Sequence, residues 1–317
     1  MASSSLPLPL PTPASGLLSP ACFFTVDVED YFQVTAFDRV VKRSDWEHFP
    51  SRVEQNTRRL LELLAARDVR GTFFVLGWVA ERFPHLVREI ESAGHEIGSH
   101  SYWHRLVYEQ TPDEFRADLR RSKQVLEDIV GAPIIAYRAP TFSIIERSRW
   151  ALEILVQEGF TLDSSLFPIR GHDRYGMPGI ERAPHRIDTP SGSLWEAPLS
   201  TARLLGVNLP ASGGGYFRLY PYSLTKRLIH RLHAAGLPLN FYTHPWEIDP
   251  EQPRQSGLSG LNRIRHYIHL GQTADKLNRL LGDHRFSSLT AVVDLRENTS
   301  ARPVEGPIEN IAEVLAK

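Results

Sequence analysis

Cysteine is nearly absent from this 317-residue chain, which has one, Cys22. A single thiol excludes an internal disulfide framework and fits either a reducing compartment or a fold that needs no cross-link. An excess of charge of one sign is also lacking, since 36 lysine and arginine residues face 37 aspartate and glutamate residues, for a formal charge of -1. No global field therefore attracts a nucleic acid or an anionic membrane, and partners must be recognised locally.

Long hydrophobic runs are missing as well, because no segment approaches the ~20 apolar residues of a membrane span. The opening stretch MASSSLPLPLPTPASGLLSPAC has no lysine or arginine, and its prolines interrupt any apolar run long enough for a secretory signal. Residues 1–21 are therefore expected to form a disordered leader, and the protein is expected to be soluble and cytoplasmic.

No glycine fingerprint of the dinucleotide or P-loop type follows any expected strand. The glycine-rich stretch SGGGYF, residues 212–217, falls between expected elements. It is interpreted as a flexible or substrate-covering loop, and a phosphate cradle is the less favoured alternative.

What the sequence does have is a regular alternation of short apolar runs and amphipathic helical segments. Strands are predicted at 22–28, 71–77, 95–100, 133–138, 160–165 and 238–244, and helices at 53–67, 78–93, 111–130, 147–158, 224–235 and 264–281. This order implies an α/β fold with parallel strands, either an open doubly wound sheet or a barrel. One domain is expected over 22–317, with an irregular insertion at about 166–217, where LWEAPL is a candidate strand, and a C-terminal extension from about 251.

Five expected strands end in side chains able to do chemistry, namely Asp27, His100, Arg138, Asp163 and His244. The carboxyl ends of parallel barrel strands share one face, and that face carries the active site. Residues far apart in sequence should therefore converge. Taken singly, a strand-end aspartate is more often a cap or turn residue, and a lone histidine more often packs in a core.

GSHSYWH, residues 98–104, holds two histidines four positions apart, His100 and His104. One turn of helix would bring both imidazoles to the same face, where zinc or a similar divalent ion could bind. Two ordinary polar residues at a helix start fit the spacing equally well. The third ligand would have to be an acid, and DVED, residues 27–30, supplies three. Two imidazoles and one carboxylate leave positions open for water and substrate, as in a catalytic metal site.

Two further pairings are expected from charge. The guanidinium of Arg138 follows an apolar strand and cannot be buried alone, so it should pair with a carboxylate such as Asp27. Asp163, at another strand end, could hold the ring of His244 and keep it protonated. The alternative is that His244 is a satisfied core histidine.

The order of these motifs resembles the polysaccharide deacetylase family, the NodB-like carbohydrate esterases of family 4, whose fold is a distorted (β/α) barrel. The resemblance runs from about Phe23 to Pro250 and is most specific in HEIGSHSYWH and YRAPTFS. DVEDYF, HDRYG and WEAPLS are similar to a bacterial branch found with exopolysaccharide export loci, itself similar to the branch of peptidoglycan deacetylases and allantoinase-like amidohydrolases.

Carried over residue by residue, the resemblance makes Asp27 the general base and Arg138 its partner. It makes His244 the general acid and Asp163 the residue that orients it. The implied reaction is hydrolysis of N-acetyl groups on amino sugars of a polysaccharide or its lipid-linked precursor, with a backbone N–H near Thr141 helping to hold the oxyanion.

The resemblance also implies one divalent metal ion, with zinc expected, bound by His100 and His104. A bound ion lowers the pKa of its water toward ~7 and polarises the substrate carbonyl. The family's first motif has two adjacent aspartates, whereas this chain has DVED. Glu29 is chosen as the third ligand, and Asp30 is the alternative.

A carbohydrate is the expected partner, with no nucleic acid, and the sequence does not define the oligomeric state. Candidate residues for stacking on sugar rings, each of which packing alone would also explain, are Tyr175, Trp195, Tyr216 and Trp246. Phe167 or Trp195 could replace the family's usual aromatic wall. Two other functions stay open, an amidohydrolase on a small amide and a catalytically inactive sugar-binding protein. Retention of all five polar strand ends favours an enzyme.

Overall fold

The computed structural model describes residues 21–291, which form one main β-sheet surrounded by helices. The strands are β1 (Cys22–Val28), β2 (Thr72–Val75), β3 (Glu96–Ser99), β4 (Ala136–Tyr137), β5 (Leu162–Asp163), β6 (His185–Thr189), β7 (Gly192–Glu196), β8 (Thr201–Leu204), β9 (Val207–Pro210), β10 (Leu239–Thr243) and β11 (Phe286–Ser287). The helices are α1 (Val53–Ala65), α2 (Gly77–Arg82), α3 (Pro84–Ser92), α4 (Pro112–Val130), α5 (Trp150–Gln157), α6 (Gly214–Leu219), α7 (Tyr222–Ala234), α8 (Gly260–Tyr267) and α9 (Leu270–Asp283). The leader expected at 1–21 lies outside the described residues except for position 21.

The main sheet has the strand order β10-β1-β2-β3-β4-β5-β7-β6, and β11 also pairs with β1. All neighbours from β10 to β7 are parallel, and β6 pairs antiparallel with β7. A separate hairpin consists of β8 and β9. The predicted α/β fold with a parallel sheet is therefore confirmed.

Strand pairing within residues 21–291 does not close this sheet into a complete barrel. Hydrogen bonds of Asn240 instead connect β10 to the residues that follow β5 and β7. The Asn240 amide nitrogen donates to the Ala197 carbonyl at 2.8 Å and to the Ser164 hydroxyl at 3.0 Å, and the Asn240 backbone N–H donates to the Ser200 hydroxyl at 2.7 Å. These hydrogen bonds hold β10 close to β5 and β7, although β10 is not paired with either strand.

Local sequence explains several of these elements. All seven residues of β1 are buried, as expected for a strand of a parallel sheet covered on both faces. Helix α4 begins with a capping box between Thr111 and Glu114, has Pro112 at its first position and ends at Gly131 with φ of 73°. No helix in residues 21–291 is both long enough and apolar enough to cross a membrane.

Two predicted long helices are broken. The helix expected at 78–93 is divided into α2 and α3 because Pro84 cannot continue the α2 hydrogen-bond pattern and disfavours helical geometry at Phe83 (φ −126°, ψ 58°). The helix expected at 264–281 is divided into α8 and α9, since His269 adopts φ of 53° between them.

The predicted insertion is more ordered than its composition indicates. Its strand β7 pairs with β5 and so belongs to the main sheet. The stretch interpreted as a flexible loop instead starts α6, and the Tyr242 backbone N–H donates to the Ser212 carbonyl at 2.6 Å. Gly213 has φ of 122°, and a Cβ there would lie 1.9 Å from the Tyr242 carbonyl oxygen. The glycine therefore permits a close backbone approach.

Candidate active site

The carboxyl ends of the parallel strands open onto a cavity of about 160 Å³. The predicted site residues that line it are Asp27, Glu29, His100, His104, Thr141, Tyr175, His244 and Trp246. Arg138 lies beneath them in contact with Asp27. Most of the predicted site therefore comes together, although the segments that supply it are widely separated in sequence.

Three side chains in this cavity present ligand atoms to one point. One ligand atom from each of Glu29, His100 and His104 lies within 4.8 Å of the other two, and all three residues are buried. Glu29 Oε2 is 2.7 Å from His104 Nε2, yet this carboxylate oxygen has no partner in hydrogen-bond geometry. A buried carboxylate oxygen without a hydrogen bond requires compensation, and a shared divalent cation would supply it. The donor set thus fits the expected ion.

The two histidines do not reach this arrangement through a turn of helix, and that expectation was wrong. Residues 100–106 are irregular, and Ser101 and His104 adopt φ of 65° and 51°. These left-handed residues fold the chain back so that the two imidazoles are 5.4 Å apart. His100 Nδ1 contacts the Arg138 carbonyl oxygen at 2.9 Å, which leaves Nε2 as its available ligand atom.

The protonation states of two candidate ligands suit a cation. Burial lowers the pKa of His100 to about 4, so its imidazole is neutral at physiological pH. Burial acts in the opposite direction on Glu29, but the charge and contact of His104 outweigh it and lower the Glu29 pKa to about 2. A neutral imidazole and an ionised carboxylate are the forms that bind metals.

Asp30, the alternative third ligand, has a different role. Its Oδ2 accepts hydrogen bonds from the Ser51 hydroxyl at 2.6 Å and from the Arg52 and Val53 backbone N–H groups at 2.9 and 3.2 Å. These contacts satisfy backbone donors at the start of α1. The carboxylate is occupied at the helix terminus, and burial raises its pKa to about 6.

The expected pairing of Asp27 with Arg138 is present. Asp27 Oδ1 lies 2.8 Å from Arg138 Nη1, and the guanidinium is fully buried. Arg138 also donates to the Thr25 hydroxyl and to the carbonyl and hydroxyl oxygens of Ser164. The other Asp27 oxygen lies 3.8 Å from His244 Nε2. One oxygen of Asp27 is therefore bound by Arg138, and the other oxygen faces the cavity.

The carboxylate that contacts His244 is Glu247, not Asp163, so the predicted orienting partner was wrong. His244 Nδ1 is 2.5 Å from Glu247 Oε1, and the second Glu247 oxygen accepts from Arg218 Nε at 2.7 Å. Burial lowers the His244 pKa, but the hydrogen bond and charge of Glu247 more than reverse this and raise it to about 9. His244 is therefore an imidazolium at neutral pH.

Asp163 belongs to a separate buried cluster at the end of β5. Its Oδ1 accepts from the Ser165 hydroxyl at 2.5 Å, and it shares its site with Glu196 of β7. Burial raises the pKa of Asp163 to about 6 and that of Glu196 well above its usual value. Burial therefore favours the protonated form of Glu196, and the two carboxyl groups lie at the ends of neighbouring strands.

The four predicted aromatic residues divide into two groups. Tyr175 and Trp246 line the cavity. Trp195 packs against the separate apolar cluster that includes Phe23 and Leu162, and Tyr216 lies beside Tyr175, outside the cavity lining. The expectation that Trp195 and Tyr216 face the substrate is therefore not supported.

Trp246 has a second contact that the sequence did not indicate. Its Nε1 donates to Glu29 Oε1 at 3.3 Å, and its ring stacks on His266 at 4.3 Å. Phe167, the candidate wall residue, stacks on Tyr175 at 5.5 Å and supports it from behind. Thr141 adopts φ of 54°, and its hydroxyl lies 2.6 Å from that of Thr35.

Sequence reasoning missed several residues at this site: Arg174, Arg218, Glu247, Asn262, Arg265 and His266. Glu247 had a usable signal, since HPWE places a carboxylate three positions after the histidine, a spacing that one tight turn brings together. The others come from α6, α8 and the loop before β6, and no spacing in the sequence relates them to the strand ends.

Comparison with known proteins places two matched regions on this fold. Residues 37–159 match the family Polysaccharide deacetylase, and residues 164–294 match a domain of unknown function, DUF3473. The peptidoglycan-N-acetylglucosamine deacetylase of Bacillus cereus is 35% identical over 98 residues, which cover 31% of this chain and 36% of that protein. The chain thus spans little more than a third of the length of this curated relative.

Two solved structures share the fold over nearly their whole length. One, from Mycobacterium smegmatis and assigned as a polysaccharide deacetylase, has a TM-score of 0.59 at 19% identity and covers 98% of this chain and 99% of its own. The Puue allantoinase has a TM-score of 0.57 at 16% identity and covers 95% of this chain and 100% of its own. At such identities the likeness concerns the fold alone.

The two matched regions build one site. His100, His104 and Thr141 lie in the first region, whereas Tyr175, His244 and Trp246 lie in the second. Strand β5 lies between the two regions and pairs with β4 of the first region on one side and with β7 of the second on the other. The region of unassigned function therefore completes the cavity of the first region.

Proposed function

Because this chain carries a polysaccharide deacetylase domain, we propose that it is a metal-dependent enzyme that removes N-acetyl groups from amino sugars of a polysaccharide or its precursor. The observation that carries the proposal is the Glu29, His100 and His104 cluster, with Asp27 and His244 beside it in one cavity. An inactive sugar-binding protein would have no use for the buried Arg138–Asp27 pair next to three converging candidate metal ligands.

The donor set of two imidazoles and one carboxylate favours zinc as the ion. When bound, the ion would supply an acidified water and polarise the acetamide carbonyl. It would be held by Glu29, His100 and His104. The exopolysaccharide setting expected from the resemblance remains part of this proposal.

The chain's own residues account for the proton transfers. Asp27 accepts the proton of the attacking water, and Arg138 holds this base in place by its hydrogen bond at 2.8 Å. His244, protonated by virtue of Glu247, donates from Nε2 to the departing amine nitrogen. Asp27 Oδ2 and His244 Nε2 are 3.8 Å apart, so the base and the acid face the same reacting group. The backbone N–H of Thr141 is the proposed second contact to the oxyanion.

The test is release of acetate and free amine from a panel of N-acetylated glycans, including chitooligosaccharides and peptidoglycan fragments. The metal-free protein should be inactive, activity should return with zinc or another divalent ion, and Asp27→Asn should abolish it. Full activity in a chelator, or an unchanged rate in Asp27→Asn, would overturn the mechanism. Hydrolysis of a small cyclic amide without any glycan activity would instead identify an allantoinase-like amidohydrolase.

A further inference from the structure

A second, larger cavity adjoins the metal-ligand cavity. It measures about 660 Å³, against about 160 Å³ for the inner one. Cavities that enclose a small molecule typically measure ~300–1,000 Å³, so the inner cavity alone has room for little more than the acetamido end of a substrate. The adjoining outer cavity has room for the rest of a glycan. The residues common to both cavities are Thr35, Ala36, Arg174, Asn262 and Arg265.

Two arginine side chains at this junction have unused binding capacity. The Arg174 guanidinium makes no hydrogen bond or ion pair with any residue in the described part of the chain. The Arg265 guanidinium reaches only Asp173, at 3.6 Å, and both of these side chains are about half exposed. An exposed pair at that distance is weak, so a ligand can displace it at small cost.

The backbones that carry these two arginines are held in place. The Arg174 N–H donates to His172 Nδ1 at 3.2 Å. The Arg265 carbonyl accepts from Arg218 at 3.0 Å, and Arg218 also binds Glu247, the partner of His244. Arg218 therefore contacts both the Arg265 backbone and Glu247, the residue that orients the proposed acid His244. Because these backbone positions are already fixed, less conformational entropy is lost when the two guanidinium groups bind a ligand.

The acidic residues of the outer cavity lie outside this junction, and of these Asp173 offsets part of the Arg265 charge. They are Asp38, Glu109 and Asp173. Asp38 lies 3.8 Å from Arg43, and Asp173 is 59% exposed at its side chain. None of the three belongs to the set shared by both cavities, where the only charged residues are the two arginines.

Resting on the deacetylase function proposed above, we propose that the substrate carries an anionic oxygen group, a carboxylate or a phosphate, on or next to the deacetylated sugar, and that Arg174 and Arg265 bind it. Guanidinium groups form two parallel hydrogen bonds with either anion. The substrate class is therefore an acidic N-acetylated glycan or a phosphate-linked sugar precursor, not a neutral polymer. Both arginines lie in the DUF3473 region, which gives that region a role in substrate choice.

The experiment compares three substrates of equal length: a neutral N-acetylated oligosaccharide, one with a carboxylated neighbouring sugar, and one with a phosphate-linked neighbour. The zinc-loaded wild type should deacetylate at least one acidic substrate with a kcat/KM that is tenfold or more above that for the neutral substrate. Arg174→Ala with Arg265→Ala should remove most of this preference through KM. Arg263→Ala is the matched control, because Arg263 is an exposed residue of α8 that lines neither cavity, and it should retain the preference.

Equal kcat/KM values for all three substrates in the wild type, or an equal loss on neutral and acidic substrates in the double variant, would overturn the inference while leaving the deacetylase function intact. If no substrate releases acetate, the proposed function fails. Calorimetric binding of the same oligosaccharides then tests the two arginines independently. Tighter binding of an acidic oligosaccharide that is lost in the double variant supports the inference, and equal binding of all three rejects it.

Discussion

His244 Nδ1 and Glu247 Oε1 are 2.5 Å apart, and both residues belong to the turn that follows β10. The histidine and its orienting carboxylate therefore move as one unit. Arg218 holds the second oxygen of Glu247 from α6, so the ring is positioned by a chain of two buried charges. The arrangement has consequences for pH dependence that can be measured.

Glu247→Gln should lower kcat and move the alkaline limb of the rate profile to lower pH. Glu247 raises the His244 pKa to about 9, and without its charge burial lowers the pKa, so the imidazolium is lost earlier as pH rises. General acids contribute typically ~10²–10⁴-fold, and we expect a loss toward the lower end of that range at pH 8. The measurement is kcat as a function of pH. Exposed Glu251→Gln serves as control, and an unshifted alkaline limb in Glu247→Gln would contradict the assignment.

Glu29→Gln and His100→Ala should each lose the bound ion, whereas Asp30→Asn should keep it. The first two variants remove ligand atoms, but Asp30 binds the start of α1. Asp30→Asn should instead lower the unfolding temperature, because an amide replaces an oxygen that accepts from three donors. Metal content by mass spectrometry and thermal unfolding separate the two effects. Loss of metal in Asp30→Asn with retention in Glu29→Gln would reverse our choice of ligand.

Trp246→Phe should weaken metal affinity and leave the fold intact. The substitution retains an aromatic ring against His266 but removes the N–H donor to Glu29. Loss of a hydrogen bond to a metal ligand typically costs roughly 10–100-fold in affinity. Competition with a chelator of known affinity measures the change. Trp195→Phe is the matched control, since Trp195 lies away from the cavity, and equal affinities for the two variants would refute the role of the Trp246 N–H.

Glu196→Gln should stabilise the protein at alkaline pH. Burial raises the pKa of Glu196 in the folded state, so the wild type is stabilised below the unfolded-state pKa and loses that stability as pH rises toward the folded-state pKa. A glutamine can still donate to Asp163 and accept from the Leu166 N–H, but it does not ionise. Urea unfolding at pH 5 and pH 8 should give a larger advantage for the variant at pH 8. A pH-independent difference would contradict the raised pKa of Glu196.

The strand ends could be predicted because apolar runs such as CFFTVDV report burial, and the polar residue after each run then falls at the sheet edge. The Asp27–Arg138 pair followed from the cost of burying a cation alone. The two histidines were brought together by left-handed residues that no spacing rule contains. The sequence thus predicted that His100 and His104 lie together, but it predicted a helical turn where the backbone is irregular.

The wrong prediction of Asp163 as the partner of His244, in place of Glu247, has a different cause. Asp163 was chosen because it ends a strand, and Glu247, three positions after His244 in HPWE, was not considered. Only the three-dimensional arrangement shows which carboxylate reaches His244 Nδ1. Similarly, Trp195 was chosen because aromatic residues suit sugars, yet its position on β7 directs it to another cluster. The hydrogen bonds of the Asn240 side chain to Ser164 and Ala197 also join segments far apart in sequence, and no local pattern predicts them.

Strand β1 pairs with β2 on one side and with β10 on the other, and the contact between Trp246 and Glu29 joins residues 217 positions apart. During synthesis on the ribosome, at ~5–20 residues per second, roughly ten to forty seconds separate the appearance of these two ends. Throughout that interval the backbone N–H and C=O groups of β1 that later pair with β10 have no strand opposite them, and such unpaired edges can pair with other chains. The pairing of β10 with β1, which completes the candidate site, therefore also covers the strand edge through which the nascent chain could aggregate.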